Sequence, residues 1–208
     1  FFKRSLIESC VCEPRNKIIV DGHELIYYPC LNGEPGKRYV LGVDPASEKD
    51  NFTIFVLELW ADHTRIVHGW STTRKQFQDQ QKHLTKKELN FYAYCARKIR
   101  NLMKVFPCEA IAMDSQGGGY AVLEALHDED KIDGGEQPIW EIIDDDKSKP
   151  SDDQFGLHIV HLCQFRDSKW TAEANLFLRK DMEDKTLLFP RYDNISLELA
   201  SFEDQSAL

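Results

Sequence analysis

The chain of 208 residues is long enough for one domain with a substantial core, and 42% hydrophobic with 29% charged residues is a globular composition. No apolar run approaches the roughly 18–20 residues of a membrane-spanning helix, so no membrane partner is expected. The formal net charge of −9 argues against a domain coated in nucleic-acid-binding surface, although local basic patches remain compatible with it.

The first 38 residues are interrupted by prolines and glycines, and we expect them to be irregular. A short hairpin is predicted between Ile18–Val20 and Glu24–Tyr28, because the Asp-Gly pair between them suits a tight turn. The chain also opens abruptly, so we expect it to be a fragment of a longer polypeptide. The predicted organisation is a lead-in over 1–38 and one folded domain over 39–208.

From residue 39 the hydrophobic pattern becomes regular. Three strands are predicted at Tyr39–Asp44, Phe52–Trp60 and Thr64–Ser71, and their short connections favour an antiparallel meander. A polar stretch, Thr72–Lys87, precedes a long amphipathic helix over Glu88–Phe106. The basic residues of this helix are expected to lie on its solvated side.

Strands and helices alternate in the remainder of the chain. The predicted elements are a strand at Glu109–Asp114, a helix at Tyr120–His127, strands at Gln137–Ile143 and Leu157–Leu162, a helix at Ser168–Met182 and an extended segment, "TLLFP". A meander followed by such alternation predicts an α/β domain with a mixed sheet flanked by helices.

The six cysteines do not form a recognisable framework. Cys10, Cys12 and Cys30 lack a fourth zinc ligand at the usual pair spacing. Cys95 and Cys163 lie in apolar runs, which is typical of small buried side chains. Reduced thiols are therefore favoured over both disulfides and zinc.

Two of the predicted strands end in an acid, Asp44 and Asp114. If these strands are neighbours, both carboxylates project from one edge of the sheet, where substrates usually bind. Two close carboxylates repel each other unless a cation neutralises them, and divalent metals prefer oxygen ligands. The alternative for each acid alone is a turn-forming residue after a strand, and Asp44 followed by proline fits that role.

The segment after Asp114 is rich in glycine. Gln116, Gly117 and Gly118 lack the spacing of a phosphate-binding loop, so the glycines are expected to let the backbone turn beside the acids and a nucleic-acid strand. Gln116 is a candidate contact to phosphate or metal-bound water, with a solvated loop residue as the alternative.

Other charged groups have simpler interpretations. The runs Asp144–Asp146 and Asp152–Asp153 favour a solvated loop, and Asp167 is placed to cap the helix that follows it. Most basic clusters fit solvated helix faces. Some of them, including Arg179 and Lys180, are candidates for tracking a DNA backbone, whose phosphates require charge rather than sequence readout.

Four segments in this order carry a resemblance to a known family: "YVLGVDPASEKDNFTIFVLEL", "FYAYCARKIRNLM", "IAMDSQGGGYAVLEALHD" and "LRKDMEDKTLLFP". Together they resemble the C-terminal nuclease domain of tailed-bacteriophage large terminase subunits, over most of residues 39–193. "FFKRSLIESC" resembles the stretch that joins the packaging ATPase to the nuclease. The resemblance implies a ribonuclease-H-like fold, with Asp44 and Asp114 as the first and second catalytic acids.

The resemblance also implies an activity and partners. The activity is metal-dependent endonucleolytic cutting of concatemeric viral double-stranded DNA during genome packaging, with two Mg²⁺ or Mn²⁺ ions flanking the scissile phosphate. Asp44 would bridge both ions and Asp114 would hold one. The implied partners are DNA, a packaging ATPase domain of the same polypeptide, the portal and the small terminase subunit, in the host cell cytoplasm.

Nucleases of this fold usually complete the site with a third acid near a C-terminal helix. Asp167, Glu203 and Asp204 are candidates within the sequence. In the family, however, the acid follows the segment matching "LLFPRYDNISLELA", and we therefore expect it outside this chain. At most one well-occupied metal site is then expected.

Three other interpretations remain open. A transposase, integrase or resolvase would share the fold. Long insertions or DNA-reading modules would favour that interpretation, and the sequence shows none. An actin-like ATPase would need a second Gly-rich phosphate loop. A non-catalytic, DNA-clamping module of a packaging motor would bind DNA without cutting it.

Overall fold

The computed structural model describes residues 2–12, 18–20, 23–25, 30–45, 51–80, 83–142 and 155–190. The helices are α1 (Arg4–Ser9), α2 (Arg74–Gln80), α3 (Phe91–Val105), α4 (Gly119–His127) and α5 (Ser168–Glu183). The strands are β1 (Val11–Cys12), β2 (Ile18–Val20), β3 (His23–Leu25), β4 (Arg38–Asp44), β5 (Phe52–Leu59), β6 (Thr64–Thr72), β7 (Cys108–Asp114), β8 (Ile139–Glu141), β9 (Leu157–Cys163) and β10 (Leu187–Pro190). No helix of the described residues is long and apolar enough to cross a membrane.

Eight strands form one mixed sheet in the order β1-β10-β6-β5-β4-β7-β9-β8. β4, β5 and β6 form the predicted antiparallel meander. β7, β9 and β8 continue the sheet in parallel beyond β4, and β10 and β1 continue it in parallel beyond β6. The architecture is the α/β mixed sheet expected for a ribonuclease-H-like fold.

The main core lies on one face of this sheet. Alternate residues of a strand point to opposite faces, and in β5 the inward positions Phe52, Ile54 and Val56 are fully buried. Ile99 of α3 and Leu126 of α4 belong to the same buried cluster. The two helices therefore cover this face of the meander and of β7.

A second, smaller core is formed by the N-terminal segment, and it was not predicted. Ile7 of α1, Met182 of α5 and Phe189 of β10 are buried together, and β1 pairs with β10 in parallel. The expectation of irregular structure before residue 18 is wrong for residues 4–12. The boundary between a lead-in over 1–38 and a domain over 39–208 stays a prediction, and β2 and β3 form the predicted antiparallel hairpin.

Helix α2 lies in the stretch that was expected to be a polar connection. Its one buried side chain, Phe77, packs against Phe91 and Tyr94, with ring centroids 5.7 Å and 5.4 Å away. A single apolar residue gives no helical period, which is why the sequence pattern did not reveal this helix.

Helix α3 begins later than predicted because Asn90 caps it. The side chain of Asn90 accepts a hydrogen bond from the Tyr92 N–H at 2.8 Å. The preceding residues, Lys86–Glu88, form a separate 3₁₀ turn.

Two basic residues of α3 are buried rather than solvated as expected. Arg97 and Arg100 are only 8% and 5% exposed. Arg97 Nη1 lies 2.8 Å from both carboxylate oxygens of Glu136, and Arg100 Nη1 donates to the Gln137 carbonyl at 2.9 Å. Lys104 Nζ also reaches Glu136, at 2.8 Å. The three cations join α3 to the loop before β8, and the two buried arginines among them are structural.

Candidate functional site

Asp44 and Asp114 end neighbouring strands at the centre of the sheet. β4 and β7 are parallel, and Val43 and Met113 form the last residue pair of their register, so the two aspartates are the next residue of each strand. Adjacent strands are about 4.8 Å apart. Val43 and Met113 point into the main core, and both aspartates therefore project from the opposite face. The structure brings the two predicted acids together at one edge.

A row of polar side chains continues on both sides of this acid pair. Asp44 pairs with Thr53 of β5, and Thr53 pairs with Ser71 of β6, so all three share a face. The hydroxyl oxygens of Thr53 and Ser71 are 3.2 Å apart. Sequence reasoning missed these two hydroxyls, because their place beside Asp44 depends on the register of the meander.

On the other side, Asp114 pairs with Cys163 of β9. Burial raises the pKa of the Cys163 thiol, and the negative charge of Asp114 raises it further. Cys95 is fully buried as expected, but Cys163 is only half-buried and lies at the acid edge, which corrects its interpretation as a core residue. All six cysteines are thiols rather than disulfides.

The carboxylate of Asp114 is held by the turn that follows it. The Gln116 N–H donates to Asp114 Oδ1 at 3.0 Å, and the Ser115 N–H donates to the Cys163 carbonyl at 2.9 Å. The side-chain oxygen Oε1 of Gln116 accepts a hydrogen bond from Arg166 Nε at 3.0 Å. Gln116 therefore contacts both Asp114 and Arg166.

The glycines of this turn pack closely against their neighbours. Gly118 has φ +141°, and a Cβ there would lie 2.2 Å from the Tyr92 ring. The Tyr92 hydroxyl donates to the Gly117 carbonyl at 3.0 Å and accepts from Arg74 Nη2 at 2.9 Å. The predicted tight turn beside Asp114 is present, with Tyr92 supporting it from α3.

Arg179 and Lys180 are not brought to the acid pair. Helix α5 begins after β9, whose last residue lies at the acid edge, and it leads to β10. β10 starts opposite Thr64, the first residue of β6. Thr64 lies at the end of the strands opposite to the acid pair. Both residues lie towards that end of α5, and Arg179 forms an ion pair with Glu183 at 2.8 Å. Their role in DNA binding stays a prediction.

Asp167 caps the N-terminus of α5, as predicted. Its Oδ1 accepts the N–H groups of Lys169 and Trp170 at 2.9 Å and 3.2 Å. The other acidic candidates, Glu203, Asp204 and the runs at 144–146 and 152–153, lie outside the described residues. Within the described part of the chain, no group of three or more His, Cys, Asp or Glu side chains is placed to hold a metal ion.

The donor chemistry of the acid pair fits a hard divalent cation. Asp44 and Asp114 supply carboxylate oxygens, which suit Mg²⁺ and Mn²⁺. Two carboxylates would need water or a further acid to complete the coordination of even one ion.

Solved structures with this arrangement of strands and helices are nucleases of phage packaging enzymes. The large terminase nuclease of the thermophilic phage G20c is 13% identical, with a TM-score of 0.57, over 92% of this chain and 76% of that one. The large terminase nuclease domain of Thermus phage P74-26 is 13% identical, with a TM-score of 0.53, over 94% and 74%.

The large terminase of bacteriophage HK97 is 13% identical, with a TM-score of 0.51, over 94% of this chain and 35% of that one. Structures of the G20c nuclease contain bound magnesium, zinc or cobalt. No protein-family model matches the sequence, and neither does any curated protein. The chain thus has the ribonuclease-H-like fold of large terminase nuclease domains.

Proposed function

We propose that this chain is a metal-dependent endonuclease that cuts concatemeric viral double-stranded DNA during genome packaging. The observation that carries the proposal is the acid pair, Asp44 and Asp114, at the ends of two adjacent central strands. The shared fold with large terminase nucleases supports it.

A divalent cation fits between the two members of the acid pair. Two carboxylates on adjacent strands repel each other, and a divalent cation relieves that repulsion. We propose Mg²⁺ or Mn²⁺, and the metals bound to the G20c nuclease support a divalent ion. When bound, two such ions would activate water and stabilise the leaving 3′ oxygen of the phosphodiester.

The chain's own residues would hold and orient this centre. Asp44 and Asp114 would both hold the divalent cations through their carboxylate oxygens. The Gln116 N–H fixes one oxygen of Asp114, so the carboxylate keeps a single orientation when the cation binds. We propose that a third acid, from outside the described residues, completes the site.

The proposed partners follow from this role. They are double-stranded DNA, a packaging ATPase domain of the same polypeptide, the portal and the small terminase subunit, in the host cytoplasm. Because the net charge is −9, we expect DNA binding by the chain alone to be weak and strongly reduced by salt.

Nicking of a supercoiled plasmid in Mn²⁺ tests the activity. We expect slow cleavage by the chain, loss of cleavage in EDTA, and loss of cleavage in Asp114→Asn. The matched control is Asp62→Asn, which removes one carboxylate at the exposed turn between β5 and β6 and should cut at the wild-type rate. Equal rates for Asp114→Asn and the wild type would overturn the assignment of the acids.

A second candidate is a DNA-clamping module without catalysis. It is favoured by the finding that the described residues bring together only two acids, which are too few for a complete metal cage. The clamp predicts DNA retention in a gel-shift experiment with no Mn²⁺-dependent nicking. A chain that both binds and cuts excludes it.

A further inference from the structure

We propose that Arg166 binds the phosphate backbone of the DNA strand at the acid pair, and that Gln116 positions its guanidinium. This proposal deepens the proposed function, since it rests on DNA lying at the edge formed by Asp44 and Asp114. It assigns a cation to a site whose identified members are all acidic or neutral.

The hydrogen bonds place Arg166 beside the acid pair. Arg166 Nε donates to Gln116 Oε1 at 3.0 Å, and the N–H of the same glutamine donates to Asp114 Oδ1 at 3.0 Å. The loop that carries Arg166 is also fixed at its start, because the Cys163 carbonyl accepts the Ser115 N–H at 2.9 Å. One residue, Gln116, thus connects the carboxylate and the guanidinium.

The guanidinium of Arg166 has no acidic partner among the described residues. Across the residues that the structure describes, Arg166 makes the single hydrogen bond to Gln116 and no ion pair, and its side chain is exposed. The adjacent acid, Asp167, caps α5 through Oδ1 instead. Because Nε is engaged and both Nη groups are available, the guanidinium can donate two parallel hydrogen bonds to one phosphate.

Most other arginines among the described residues pair with carboxylates, and the exception, Arg74, is half-buried and donates to the Tyr92 hydroxyl. Arg38 pairs with Glu109 at 2.6 Å, and Arg97 pairs with Glu136 at 2.8 Å. An exposed arginine that binds a neutral amide next to two acids is therefore distinct in its chemistry. The acids attract a cation and the guanidinium attracts an anion, so a phosphodiester bound to that cation would be held from both sides.

The test measures DNA binding separately from cleavage. A short duplex is titrated in Ca²⁺, an oxygen-binding divalent ion, over a range of salt concentrations. We expect Arg166→Gln to weaken binding about tenfold at low salt, and to reduce the slope of log affinity against log salt by about 1. Arg166→Lys keeps the charge but loses the bidentate geometry, and its affinity for the duplex should lie between those of the wild type and Arg166→Gln.

The matched control is Arg38→Gln. It removes the same charge at the first residue of β4, about 20 Å along the strand from Asp44, and it should change the affinity less than twofold. Thermal melting of all variants checks folding, and we expect no change for Arg166→Gln because the side chain is exposed. If that variant does not fold, Arg166→Lys provides the measurement.

A double-mutant cycle with Gln116→Leu tests the positioning role. If Gln116 acts through Arg166, the leucine variant weakens binding in the wild type and has no further effect in Arg166→Gln. Additive losses would show that Gln116 contacts DNA itself and would overturn the positioning role.

The phosphate contact is overturned if Arg166→Gln binds like the wild type, if Arg38→Gln loses as much affinity, or if the wild type does not bind the duplex. The outcome is separable from the nuclease proposal. A chain that never cuts DNA in Mn²⁺, yet loses affinity in Arg166→Gln, would retain the phosphate contact and reject the activity.

Discussion

At the scale of single residues, the acid pair depends on two rigid strands. Each aspartate follows a buried residue of β4 or β7, and the parallel register of the two strands fixes their backbone positions beside each other. A site on sheet strands is placed more reproducibly than one on loops. The turn after β7 then fixes the carboxylate of Asp114 through the Gln116 N–H.

Asp44→Asn is expected to reduce Mn²⁺ binding without unfolding the chain. Removing one of two repelling carboxylates leaves the melting temperature in metal-free buffer unchanged or raised, because no metal is then present to offset the repulsion. Isothermal titration with Mn²⁺ and thermal melting in EDTA measure the two effects. A collapse of stability in EDTA would favour the turn-capping role for Asp44, and unchanged Mn²⁺ binding would contradict the metal role.

Gly118→Ala is expected to destabilise the chain by about 2–4 kcal/mol. The residue has φ +141°, and an added Cβ would lie 2.2 Å from the Tyr92 ring. That ring cannot move freely, since its hydroxyl is hydrogen-bonded to both the Gly117 carbonyl and Arg74. Urea unfolding measures the loss, and Gly134→Ala, where a Cβ meets nothing within 4 Å, should cost little. Similar losses in both variants would show that Tyr92 does not constrain the turn.

At the scale of elements, α3 is tied to the loop before β8 by charge. Burial alone would raise the pKa of Glu136, but hydrogen bonds from Lys104 and Arg97 outweigh it and lower the pKa from 4.5 to about 2. The ionised carboxylate therefore stabilises the folded state above pH 4.5. This contribution is lost as the pH falls through the window from 4.5 to about 2.

Glu136→Gln is expected to destabilise the chain at pH 7 by about 2 kcal/mol, because it removes one of the two carboxylates that pair with the buried guanidinium of Arg97 and leaves only Asp133. The difference in the free energy of unfolding between Glu136→Gln and the wild type should shrink as the pH is lowered from 4.5 towards 2. Urea unfolding across this pH range measures it. Glu109→Gln removes the same charge from an exposed ion pair and should cost less than about 1 kcal/mol. A pH-independent difference would refute the ionic explanation.

At the scale of the whole molecule, the sheet is extended on both sides of the meander. β1 and the helix before it come from the start of the chain, whereas β10 and α5 come from the end of the described residues. Their shared core means that the N-terminal segment and the last described strand stabilise each other.

Ile7→Ala is expected to cost about 2–5 kcal/mol, since the side chain is 1% exposed and its loss leaves a cavity against α5. The control is Leu176→Ala on α5, where the side chain is 61% exposed and its removal should change stability by less than about 0.5 kcal/mol. Urea unfolding of both variants compares them. Equal and small losses would show that α1 is not part of the cooperative unit.

The sequence by itself determined the elements that have a clear hydrophobic period. Alternation in Phe52–Leu59 and neighbouring segments predicted the meander, and the apolar spacing in Phe91–Val105 predicted the long helix. Both predictions are possible because residues close together in the sequence determine which face of an element is apolar. It also singled out Asp44 and Asp114 as acids at strand ends. The resemblance to the terminase nuclease, carried by four segments, led to the fold that the structure shows.

Only the tertiary structure decided which residues meet across long separations in sequence. The adjacency of Asp44 and Asp114 depends on β4 and β7 pairing in parallel, and the burial of Arg97 depends on Glu136, which lies 39 residues away. Arg166 reaches Gln116 across 50 residues for the same reason. Such contacts arise from strand register and loop closure, which local hydrophobic patterns do not encode.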